Sequence, residues 1–171
     1  MIHERAVEIA NEFVGKQESK DHPNWAPWLD NLFSRAGTKN GWTSGAPYCI
    51  AAAYACYQTA AKELGSMLPL NGTASTQDFY ERALENKCVT MKPHVGDIVI
   101  FRQGNTWRGH AGIVVGCSPD SVSTIEFNTS DTPGKSQRNG DGVYMKLRRF
   151  RDFPKSDTRL WIRGFVELSK Y

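Results

Sequence analysis

No run of apolar residues in this chain approaches the ~18 needed to cross a bilayer, so stable membrane insertion is not expected. No CxxC pair occurs. The four cysteines, Cys49, Cys56, Cys88 and Cys117, are widely scattered, which argues against a structural zinc site. The first fifteen residues, MIHERAVEIANEFVG, carry charges throughout and no apolar h-region. Synthesis in the cytoplasm without a secretory leader is therefore expected, a compartment in which obligatory disulfides are disfavoured. Long Lys/Arg runs are absent too. The net charge is only +3, and the densest basic cluster, LRRFR at 147–151, reads as the solvated face of a strand. No nucleic-acid partner is expected. There are no internal repeats and no low-complexity segments.

What is present suits one soluble domain over residues 1–171, long enough to bury a core without staples. The first half reads helical. Ile2, Ala6, Ile9, Ala10 and Phe13 follow the helix period, and Gly15 can end that helix. A second helix is expected over about 25–36, with Gly37 as its stop. The alanine-rich stretch 47–64 forms a third, with Pro47 in the first turn and Gly65 closing it. A fourth begins at STQD, where Ser75 and Asp78 have capping-box spacing, and runs to about Asn86.

The second half reads as strands. GDIVIFRQ (96–103) and HAGIVVG (110–116) are apolar runs, and SVSTIEFN (121–128) partly alternates. GVYMKLRRF (142–150) alternates Val143, Met145 and Leu147 against Tyr144, Lys146 and Arg148, and RLWIRGFVEL (159–168) closes the set. Turn residues separate these runs. Helices first and an antiparallel sheet afterwards is the α+β arrangement.

The chemistry centres on a thiol. Cys49 falls at the start of the third helix, and packing, a disulfide, a metal ligand and a nucleophile are the four readings open to it. A helix N-terminus favours a thiolate through its dipole, and its free N–H groups can hold an oxyanion. Cys56, two turns deeper among alanines, reads as core, and Cys88 and Cys117 as structural. Among the four histidines, His3 lies near the terminus, and His22 and His94 each neighbour a proline. His110 instead opens an apolar strand between glycines, which suggest close approach of backbone or substrate. In TIEFN, Ile125 and Phe127 would face the core, so Glu126 and Asn128 share the opposite face. Either could accept the imidazole N–H of His110.

PYCIAAAY, GDIVIF, GHAGIVVG and IEFNTS, in that order, resemble the CHAP family of cysteine- and histidine-dependent amidohydrolases and peptidases, within the papain-like, NlpC-type group of cell-wall enzymes. The segments FVGKQESKDHPNWAPWLDNLF and NGDGVYMKLR look like its phage-associated, endolysin branch. The resemblance implies a papain-like fold, a helical half packed on a small, barrel-like antiparallel sheet. It aligns Cys49 with the nucleophile, His110 with the general base, and Glu126 and Asn128 with the orienting pair. Many relatives have Trp or Gln where this chain has Tyr48, so a subsite differs. TKNGWTSGAPY (38–48) has no aspartate, so no calcium site is expected there, and no metal or cofactor elsewhere.

The implied substrate is peptidoglycan, cut at the muramoyl–alanine amide or within the stem peptide or cross-bridge. Trp42, Tyr48 and Trp107, in loops beside the motifs, are candidates for stacking on substrate. Glu18 is a looser candidate for a peptide amine. No separate wall-binding domain is expected. The chain is expected to act as a monomer on the wall, after holin release as an endolysin or after delivery as a toxin that would have an immunity partner. The rival readings are a papain-like acyltransferase or protease on another substrate and a non-catalytic binding module.

Overall fold

The computed structural model describes residues 1–169. Among these, four helices precede a six-stranded antiparallel sheet. They are α1 (Ile2–Asn11), α2 (Pro27–Ala36), α3 (Cys49–Glu63) and α4 (Thr76–Glu85). The strands are β1 (Val89–Thr90), β2 (Ile98–Gln103), β3 (Gly109–Cys117), β4 (Ser121–Thr129), β5 (Gly142–Arg149) and β6 (Leu160–Val166). A short 3-10 turn, Phe150–Asp152, follows β5. The strand order is β1-β6-β2-β3-β4-β5. This is the α+β arrangement that the order of the segments predicts. It is consistent with a papain-like fold; β1 and β5 are the end strands, residues 15–18 pair with the start of β5, and the sheet does not close. The small antiparallel sheet expected beside the helical half is present, and it is open.

Local chemistry explains the helix limits. Pro27 occupies the first turn of α2, where its missing N–H costs nothing, and Gly37 takes the left-handed position that ends it (φ 84°). The Ser75 hydroxyl accepts a hydrogen bond from the Asp78 N–H at 3.3 Å and caps α4. Pro47, expected within the third helix, lies ahead of it. Tyr48 is the N-cap of α3 and Cys49 its first residue, and no side chain caps this end.

α3 is the central element. It packs on α1 and α2 on one side and on β3 and β4 on the other. Residues all around it are buried, from Ile50 to Ala61, as expected of a helix with no solvent face. Its alanines let the sheet and both helices approach closely; enlarging one would cost about 1–3 kcal/mol of overpacking.

The sheet carries an apolar layer on each face. Ile98, Ile100, Ala111, Ile113, Ile125 and Phe127 join the helices in the main core. Val99, Phe101, Val114, Val122 and Phe165 form a second cluster, with Phe150, Phe153, Leu160 and Ile162 packed against it. This second layer decides the setting of the site, because His110 pairs with Phe101 and Glu126 alternates with Ile125 and Phe127. Both polar residues therefore stand on the face of the sheet that carries this second layer, neither is exposed, and the His110 ring still reaches Cys49 at the head of α3.

Candidate active site

The site is assembled where the first turn of α3 meets β3 and β4. Cys49 is nearly buried, at 5% exposure. The imidazole of His110 lies fully buried, tilted against the Phe101 ring at 5.9 Å. Its Nε2 is 2.8 Å from Glu126 Oε2. A carboxylate can only accept, so Nε2 carries the hydrogen and the neutral ring keeps Nδ1 as its acceptor. Nδ1 is buried and has no hydrogen-bond partner among the described residues. The Cys49 thiol lies beside the ring and favours its protonated form.

The electrostatics follow from burial and these contacts. Burial alone would lower the pKa of His110. The Glu126 charge, its hydrogen bond and Cys49 outweigh that and push it up to about 9. Burial would raise Glu126, but hydrogen bonds and charge from Arg148 and His110 hold it well below the usual carboxylate range. Thr124 Oγ1 donates a further bond to Glu126 Oε1 at 2.7 Å.

Of the two candidates for orienting the ring, Glu126 makes the hydrogen bond. Asn128 has φ 57°, and the β4–β5 register shifts between Phe127 and Thr129. The two-residue alternation that would place it beside Glu126 therefore ends at Phe127. Its side chain is fully buried, and neither its oxygen nor its nitrogen has a hydrogen-bond partner among the described residues.

The glycines flanking His110 serve the protein itself. A Cβ on Gly109 would lie 2.2 Å from the Phe101 carbonyl oxygen. A Cβ on Gly112 would lie 2.6 Å from Glu126 Cγ, so the absent side chain is the space through which the carboxylate reaches the imidazole. Gly112→Ala is therefore expected to fold with a loss of about 1–3 kcal/mol. Its hydrolytic rate should fall by roughly a hundredfold, because a displacement near 1 Å breaks the alignment. Thermal melts and initial rates on the same preparation check both numbers.

The CHAP-domain family model matches residues 37–128, more than half of the chain, and the matched span runs from ahead of α3 to Asn128. The chain belongs to the CHAP family. It is an amidase- or peptidase-type hydrolase of peptidoglycan. No curated protein matches the chain.

Around this CHAP core the aromatic candidates divide. Trp42 is 2% exposed, stacked on Phe33 at 5.1 Å, and its Nε1 donates to the Ala46 carbonyl at 2.7 Å. Tyr48 is fully buried, edge-on to Trp28 at 5.9 Å, and its hydroxyl donates to Glu18 Oε1 at 3.0 Å. Neither ring can offer a face to a sugar, so both are corrected from substrate platforms to packing residues. Local aromatic partners bury both rings although their loops are rich in glycine. Trp107, 72% exposed in the β2–β3 turn three residues before His110, keeps a free ring with the Arg108 guanidinium 5.9 Å from its centroid. Glu18 uses its carboxylate internally as well: its other oxygen accepts the Asn24 N–H at 2.7 Å.

Arg148 is the functional neighbour that the sequence reading missed. Read as solvated, it is 4% exposed and forks onto Glu126: Nε donates to Oε1 at 2.7 Å and Nη2 to Oε2. Of the apolar residues of its strand Val143 is buried, but Met145 and Leu147 are exposed instead, at 49% and 54%. The inversion has a physical cause. β5 pairs with β4, so Arg148 stands opposite Val122 on the face that holds the buried carboxylate, and a charge buried there requires a partner.

Proposed function

We propose that this CHAP domain cleaves an amide of peptidoglycan through Cys49 as nucleophile and His110 as general base and acid. The observation that supports this most is the division of labour on the imidazole. Glu126 holds Nε2, and the buried, unpartnered Nδ1 remains for the thiol at the head of α3.

In this reading Nδ1 takes or already holds the Cys49 proton, as the ion pair with the thiolate, and the thiolate attacks the scissile carbonyl. The backbone N–H of Cys49, in a first turn with no side-chain cap, donates to the oxyanion. His110 returns the proton to the leaving amine as the C–N bond breaks, leaving a thioester. Water, deprotonated by the same nitrogen, releases the acid and the free thiol. Glu126 remains a carboxylate throughout, fixing the tautomer and stabilising the imidazolium.

The test is clearing of purified sacculi before and after treatment with iodoacetamide. Treated protein whose adduct maps to Cys49 should no longer clear them; unchanged clearing by that adduct rejects the mechanism. The exposed ring of Trp107, close to His110 in the chain, is read as a contact for the glycan or stem peptide. Trp107→Ala should raise KM about two- to tenfold, the scale of one lost ring contact, with kcat little changed. Saturation kinetics on soluble muropeptides measure the split.

The endolysin role rests on the likeness of residues 13–33 and 139–148 to the phage-associated branch. A holin gene beside this one would support it, and an immunity gene would favour the delivered toxin.

A further inference from the structure

Glu126 does not act on His110 alone. The carboxylate is gripped from behind by a buried guanidinium that lies beyond the span matched by the family model. Arg148 is itself held on three sides. Phe101 and Phe153 flank its guanidinium at 5.4 and 5.3 Å, and Nη1 donates to Gln137 Oε1 at 3.3 Å. Gln137 in turn ties down the loop after Asn128: its Nε2 donates to the Ser130 carbonyl, and its own carbonyl accepts from Thr129 Oγ1 at 2.9 Å. A fork this constrained has one orientation, and it presents Glu126 to the imidazole in one orientation too.

We propose that Arg148 is the positioning residue of the site, fixing the direction and the ionised state of Glu126 so that His110 presents Nδ1 to Cys49. The proposal rests on the assignment of Cys49 and His110 as the reacting pair. The titratable and charged groups facing Glu126 are His110 from β3 and Arg148 from β5, with Cys49 of α3 beyond the ring. When thiolate and imidazolium form, the four groups sum to zero charge. Burial of Cys49⁻ and His110⁺ is then matched by Glu126⁻ and Arg148⁺, and no uncompensated charge is left in the apolar layer.

The test uses Arg148→Met, Arg148→Lys, Glu126→Gln and the double variant Glu126→Gln with Arg148→Met, all in the full chain. Two readouts are taken: kcat/KM on soluble muropeptides, and the pH dependence of iodoacetamide alkylation at Cys49, which needs no substrate. Without the guanidinium, Glu126 takes up a proton more readily and releases the imidazolium. Arg148→Met should therefore move the acid limb of alkylation to higher pH and lower kcat/KM about tenfold to a hundredfold. Arg148→Lys keeps the charge but not the fork, so its acid limb should stay near that of the wild type while kcat/KM falls.

The double variant removes both charges, which spares the fold an unpaired buried ion, and keeps the experiment decisive if Arg148→Met alone folds poorly. If Arg148 acts through Glu126, the double variant is no slower than Glu126→Gln. Multiplicative losses in the double variant, or a folded Arg148→Met with an unchanged acid limb and unchanged kcat/KM, overturn the proposal. A wild-type chain whose Cys49 is alkylated no faster than an ordinary thiol overturns the reading beneath it, and that result is seen without any Arg148 variant.

Discussion

Cys49→Ala is expected to abolish release of peptide from purified peptidoglycan, lowering the rate by roughly four orders of magnitude or more, as loss of a nucleophile does elsewhere. The variant should still fold, since a small, nearly buried side chain is shortened by one atom at a cost of about 1 kcal/mol. Cys56→Ala is the matched control. Cys56 lies two turns deeper in α3, fully buried, and its thiol donates to the Ala52 carbonyl at 3.4 Å. Burial pushes this thiol up, which makes it a packing group and a poor nucleophile. Its alanine variant should keep wild-type rates. Full clearing of sacculi by Cys49→Ala would reject the covalent route.

The second large effect is expected at Glu126. Glu126→Ala leaves a buried arginine and a buried imidazolium without their acceptor, and should destabilise the domain by about 3–5 kcal/mol. Glu126→Gln keeps the shape and loses the charge. Its rate should fall by about two to four orders of magnitude, because the amide can hold the imidazole in the wrong tautomer. The pH profile carries the sign. In the wild type the imidazolium is held to about pH 9, so activity that depends on the ion pair declines above that value. Removing the Glu126 charge leaves burial as the dominant influence, which lowers the His110 pKa, so the alkaline limb of Glu126→Gln moves to lower pH. Stability follows the same linkage. The raised His110 contributes fully below its ordinary 6.5 and loses that contribution as pH rises through about 9. The depressed Glu126 contributes above its ordinary 4.5 and loses it in acid. Urea melts at several pH values and pH–rate profiles measure these shifts.

The elements of the site were legible in the chain because each rests on a local signal. The alanine run with Gly65 behind it marks α3, and the apolar run after Gly109 marks β3. The alternation through Ile125 and Phe127 marks β4 and the face that carries Glu126. What failed depends on packing that a pattern does not encode. A second apolar layer outside the sheet buries the face that alternation assigns to solvent. Glu126 is therefore inside and Arg148 must follow it, while Met145 and Leu147 on the same edge strand are exposed. Asn128 departs from the two-residue period because its backbone turns left-handed, where asparagine is tolerated better than most residues. Trp42 and Tyr48 lie in loops, yet Phe33 and Trp28 provide aromatic surfaces that bury them. The openness of the sheet follows from which strands pair, a long-range property.

The geometry also narrows what the two polar residues of β4 can do. Glu126 has every oxygen engaged, with His110, Thr124 and Arg148 as donors. In the proposed mechanism it therefore acts on the ring alone. Ser130 to Asp141 follows the end of β4 and is fastened by the Gly140 N–H donating to the Asn128 carbonyl at 2.9 Å. The loop that follows β4 is thereby connected, through Gln137, to the arginine that holds the Glu126 carboxylate.

In the proposed mechanism a thiol at the head of α3 hydrolyses an amide of the wall. Mass spectrometry of the muropeptides released from purified sacculi by the wild type, with Cys49→Ala in parallel, tests it most directly. The expected products are fragments that have gained one water at a single peptide or muramoyl amide, with glycan strands intact, and none of these fragments from Cys49→Ala. Products cut in the glycan, or the same amide products from both proteins, would contradict it.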